Sequence, residues 1–128
     1  MKDLFNYISR KSFLQSLFPE GLTEPVLFGQ ISLDVFGYTL IGLHTKQRPA
    51  IEVAKWGVWG QDYDVIVVTL LGGVENDFIM SGWSVRKYLP FDVLVEGDRK
   101  FLMQDDGDKK MRIEFSELIF QKCDSYLE

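Results

Sequence analysis

The stretch Asp64-Val65-Ile66-Val67-Val68-Thr69-Leu70-Leu71 constrains the fold more than any other part of this chain. Four consecutive β-branched residues followed closely by threonine are stiff at χ1 and pack well on a pleated surface. A run without polar alternation marks a strand covered on both faces, so residues 65–70 are expected to form a central strand. A charge placed at Val67 should then cost several kcal/mol, on the order expected for an unpaired buried carboxylate.

The rest of the chain from Pro25 to Cys123 carries the same extended signature in weaker form. Ile31, Leu33 and Val35 alternate with Gln30, Ser32 and Asp34, which predicts a strand with one wet face. Phe36-Gly37-Tyr38 reads as a turn, with a second strand over 39–45. Gly72-Gly73 breaks the valine strand and Asp77 to Trp83 resumes it, which predicts a hairpin. Glu96-Gly97-Asp98 and Asp105-Asp106-Gly107-Asp108 mark two further turns, and Met111, Ile113 and Phe115 alternate with Lys110, Arg112 and Glu114. A last strand or short helix follows from Glu117.

Ahead of this body, Leu4, Phe5, Ile8, Phe13, Leu14, Leu17 and Phe18 recur at roughly helical spacing, as one helix or two short ones, with Asp3 capping the first turn, Ser12 capping a second short helix, and Pro19 and Gly21 as the stop. The fold class is therefore α+β, mainly antiparallel β: one domain over 1–128, with a helical segment at 1–20 packed on a curled, meander-like sheet at 25–123.

Composition narrows the function classes. Residues 1–60 hold six Lys/Arg against five Asp/Glu, and residues 61–128 hold eight against fourteen, so the net charge of −5 resides in the second half. Nucleic acid is disfavoured as a partner, because phosphate contacts need clustered cations; a basic protein is favoured through electrostatic steering. No run approaches the ~18 apolar residues of a membrane helix. The N-terminus lacks the apolar core of a signal peptide, and Cys123 is the sole cysteine, so a cytoplasmic, reducing location is expected.

Catalytic signatures are sparse. His44 is the only histidine, no nucleophile-elbow motif surrounds any serine, and no phosphate-binding glycine loop opens a helix. One His and one Cys do not build a zinc site, and Ser116 occupies the place where a calcium loop beginning at Asp105 would need its bidentate Glu. No metal, cofactor or catalytic residue is assigned. A small-molecule or catalytic cleft near His44, and an assembly module pairing through a strand edge, stand as alternatives to a binding role.

The sequence Leu43-His44, then Lys55-Trp56, the valine strand opening at Asp64, and Gly82-Trp83 resembles β-rich immunity proteins encoded beside bacterial polymorphic toxins, including contact-dependent growth inhibition systems. The resemblance implies a cytoplasmic protein without enzymatic activity that binds and neutralises one cognate toxin domain, commonly a nuclease with a basic face. It implies no shared binding residues, because interfaces in such systems diverge with each toxin. On this reading the protein is a monomer or weak homodimer. The expected contact surface is acidic and turn-rich, formed by Asp62, Asp64, Glu75, Asp77, Asp105, Asp106 and Asp108, with Trp59 as an apolar anchor. From Gly60 to Trp83 there are four acids and no Lys or Arg, so the local charge there is uncompensated in sequence.

Overall fold

Strand neighbours flank the valine segment on both sides, as its composition requires. The computed structural model describes residues 4–128, apart from the side chains of Val74 and Glu75. Among these residues the strands are β1 (Ile8–Ser9), β2 (Val26–Leu33), β3 (Tyr38–Thr45), β4 (Val65–Ser81), β5 (Asp92–Glu96), β6 (Arg99–Asp105) and β7 (Lys110–Tyr126). They form one sheet in the order β2-β3-β4-β7-β6-β5, antiparallel throughout that path, and the short β1 joins β7 in parallel. The meander holds within β2–β4 and within β5–β7 and fails between them, because β7 inserts beside β4. Pairing two long strands from Val65 opposite Tyr126 to Ser81 opposite Lys110 satisfies most of their backbone groups, interrupted by bulges.

The sheet curls until its ends approach each other. Val26 at the start of β2 exchanges two backbone hydrogen bonds of 2.9 Å with Leu89, just ahead of β5. The buried Gln104 side chain donates to the carbonyls of both residues, at 3.0 Å each. Inside the curl lie Phe28, Leu43, Ile66, Val68, Leu70, Leu102 and Ile113.

Further sequence expectations change in the structure. Val65–Leu70 is central within the sheet, but its two faces are unequal: Ile66, Val68 and Leu70 are fully enclosed, whereas Val67 and Thr69 are half-buried on the outer face. A valine on a half-wet face hid the alternation. Gly72-Gly73 makes no hairpin, and β4 runs through it with bulges on either side of Val74. A Cβ on Gly72 would stand 2.9 Å from Leu118 and 3.0 Å from the Glu117 carbonyl, so glycine here admits the neighbouring strand and lets β4 bend.

The N-terminal segment is not continuously helical. A 3₁₀ turn (Leu4–Tyr7) leads into β1, and a six-residue helix, α1 (Ser12–Leu17), follows. Ile8 and Ser9 pair with Leu118 and Ile119, taking the edge of β7 that β6 vacates after Phe115. Backbone pairing there outweighs the helical periodicity, and Arg10 adopts φ 59° to make the change of direction. Lys11 stands at the N-cap of α1 without a side-chain cap, so Ser12 does not serve as one; Asp3 lies outside the described residues. Leu4, Phe5, Leu14, Leu17 and Phe18 join the core. The turns at 97–98 and 106–109 form as expected, and residues 117–126 are strand.

Candidate functional site

The acidic residues singled out from sequence fall in three places. At the entrance to β4, Asp62 accepts the Val58 N–H at 2.7 Å and closes the loop, while Asp64 accepts the Glu128 N–H at 2.8 Å. Within the bent half of β4, Asp77 meets Arg99 at 2.9 Å, and the same guanidinium forks onto the buried Glu114 at 3.1 and 3.0 Å. In the β6–β7 turn, Asp105 accepts from the Gly107 N–H, and Asp106 accepts from the N–H groups of Asp108 and Lys109. Lys87 bridges Asp106 and Asp108 at 3.2 and 3.4 Å. The Glu75 side chain lies outside the described residues.

Part of the charge that looks uncompensated along the chain is therefore met across it, while Asp62 keeps, among the described residues, only the Val58 N–H. Arg99 answers Asp77, and Glu128 beside Asp64 carries Lys46 at 2.6 Å and Arg86 at 3.9 Å. The Lys109 N–H and then the Lys87 ammonium hold the Asp106 carboxyl below the usual range. Trp59 is half-buried, with its ring edge-on to Tyr63 at 5.2 Å and packed against the core.

The most exposed apolar surface lies elsewhere, on the β2–β3 hairpin. Leu33, Val35, Phe36, Tyr38 and Leu40 are 52, 96, 83, 62 and 43% exposed around a turn that closes through Asp34 and Gly37. Gly37 takes φ 91° there, a conformation that suits glycine. β3 follows β4 only to Tyr38 opposite Gly73, so the tip has no further strand to rest on and its apolar side chains stay in solvent. At the inner side of the tip, Ile31, Leu33, Phe78, Met80 and Trp83 line an apolar groove of about 340 Å³. The alternation of Ile31, Leu33 and Val35 reads in sequence as a buried face; Phe36 beside a turn glycine was the one signal of exposure.

His44 sits on the outer face of β3, 8% exposed. A bulge at Gly29 makes room for its ring, since a Cβ there would stand 2.4 Å from Nε2. Nε2 faces the Gln30 Oε1 at 2.9 Å and Nδ1 faces the Tyr126 hydroxyl at 2.8 Å. With the proton on Nε2, the ring donates to Gln30 and accepts from Tyr126. Burial, then the charge of Arg86, lowers its pKa, so the neutral form dominates at pH 7. Val67, Thr69 and Lys122 continue the surface beyond it as an open groove of about 540 Å³. Cys123 is buried and its thiol is pushed up to about 12 by burial, which suppresses the nucleophilic thiolate. Among the described residues no three His, Cys, Asp or Glu side chains are grouped to hold a metal.

Comparison with family models, with curated proteins and with solved structures gives no match to this chain.

Proposed function

We propose that the protein acts by binding another protein, as an immunity protein that covers a basic toxin domain without covalent chemistry. The observation that carries this reading is the solvent-exposed apolar tip of the β2–β3 hairpin, where five large side chains stand out around one turn. Contiguous apolar surface of this kind marks interaction sites, and rigid aromatic anchors carry most of the affinity at such interfaces. The net charge of −5 would draw in a cationic partner, and the tip would hold it. Both ring nitrogens of His44 are engaged within the protein, which favours binding over a catalytic use of that residue.

The test is co-expression with the toxin domain encoded immediately upstream of this gene. The expected result is protected growth and a 1:1 complex on gel filtration. The pair Val35→Ser and Phe36→Ser should weaken that complex at least about tenfold while leaving the fold intact. A gene isolated among metabolic genes, or a toxin unaffected by the protein, overturns the reading. Charge neutralisation tests the steering: Asp62, Glu75 and Asp77 changed together to Asn or Gln, then Asp105, Asp106 and Asp108. If neither set slows association or flattens its salt dependence, the partner meets a different face.

A further inference from the structure

Lys109 is 1% exposed, and among the described residues no carboxylate pairs with its ammonium group. The acids nearest in sequence, Asp106 and Asp108, are engaged by Lys87. Its Nζ instead lies 5.6 Å from the centroid of the Trp83 ring. Gly82 permits this arrangement: with φ +71°, it lets the end of β4 come so close to the β6–β7 turn that a Cβ would collide with the Asp108 carbonyl. A desolvated cation with an aromatic face as its main compensation remains short of counter-charge.

The residue lines a pocket of about 330 Å³ between the bulged edge of β2 and the loop following β4. Arg86 brings a second cation to this pocket, its side chain 74% exposed and 3.9 Å from Glu128. Ser84 and His44 contribute polar atoms, and Leu27, Trp83 and Val85 contribute apolar wall. Two cations thus line one half-open pocket in a chain of net charge −5.

We propose that this pocket binds a small-molecule oxyanion, a carboxylate or phosphate group on a compact apolar body, with Lys109 as the buried counter-charge and Arg86 at the rim. The anion supplies the hydrogen-bond partners that the desolvated Lys109 ammonium lacks. Trp83 and Val85 cover the apolar part. Glu128, beside Arg86, and Asp106, which acts on Lys109 through space, oppose the anion and keep affinity modest. The pocket is independent of the toxin reading and stands or falls on its own measurement.

The experiment titrates the full chain with sodium phosphate and, separately, sodium benzoate at constant ionic strength, with sodium chloride as control, following backbone amide resonances. Saturable shifts centred on Ser84, Arg86 and Lys109 are expected, with a Kd in the millimolar range or tighter. Phosphate responding alone assigns a phosphate ligand, and benzoate alone a carboxylate. Lys109→Met keeps the side chain's length and removes its charge, and Arg86→Gln changes an exposed residue; each should weaken binding about tenfold or more. No saturable shift up to roughly 50 mM of either probe, an equal response to chloride, or full binding in both variants overturns the proposal.

Discussion

Val67 and Val68 are adjacent in sequence, yet the curl of the sheet gives them opposite surroundings. Replacing each by threonine, which keeps the shape and exchanges one methyl for a hydroxyl, measures that difference. Val68 is fully enclosed, with Leu43 and Cys123 as its cross-strand neighbours. The lost methyl costs about 0.8 kcal/mol and an unpartnered buried hydroxyl about 1–3, so Val68→Thr should destabilise by roughly 2–4 kcal/mol. Val67 lies opposite His44 and Asp124 on the half-open groove, where a hydroxyl finds water and polar neighbours. Val67→Thr should therefore change stability by no more than about 0.5 kcal/mol. Urea unfolding followed by tryptophan fluorescence at pH 7.5 resolves the two. Equal costs, or a larger cost at 67, would refute the assignment of the inner face.

Three further outcomes are expected. His44 has a folded pKa below its unfolded value, so its contribution is fully present above pH 6.5 and is lost as pH falls below it. Urea midpoints should drop over that range, and His44→Gln should abolish that step. Glu114 is held below the usual carboxylate range by Arg99, so its stabilisation is present at neutral pH and fades as acid protonates it. Arg99→Met should lower the melting temperature at pH 7 and flatten its dependence on pH through the carboxylate range. Cys123 should resist iodoacetamide in the native protein at pH 8 and react at the rate of a free thiol in urea; equal rates in both would show the site to be open.

Strand positions were legible in the sequence wherever alternation or β-branching dominated, and both turns around β6 followed from their Asp and Gly residues. What could not be read locally was pairing. Gly72-Gly73 has the composition of a turn, and only the nearness of Leu118 shows why the chain needs glycine without turning. Ile8 and Ser9 fit a helical stripe until β7 offers them an open edge. Asp64 and Asp77 look unpaired because their partners arrive from residues 128 and 99, through pairings that no sequence window contains, whereas Asp62 turns back onto the Val58 N–H of its own loop. Lys109 carries no local mark of burial at all, since its enclosure depends on Gly82 and Trp83.

The place of β7 in the sheet bears on how the chain is made. The last strand of the sheet to leave the ribosome fills a position between two strands synthesised before it, with Val65 waiting for Tyr126. Until then β4 presents an unpaired edge of valine and isoleucine, the kind of surface on which nascent chains stick to one another. Contacts so distant along the chain also slow the search for the native state. A polypeptide stopped before residue 110 is therefore left with two separate pieces of sheet, β2–β3–β4 and β5–β6, without the strand that joins them, and is expected to be a substrate for chaperones or proteases.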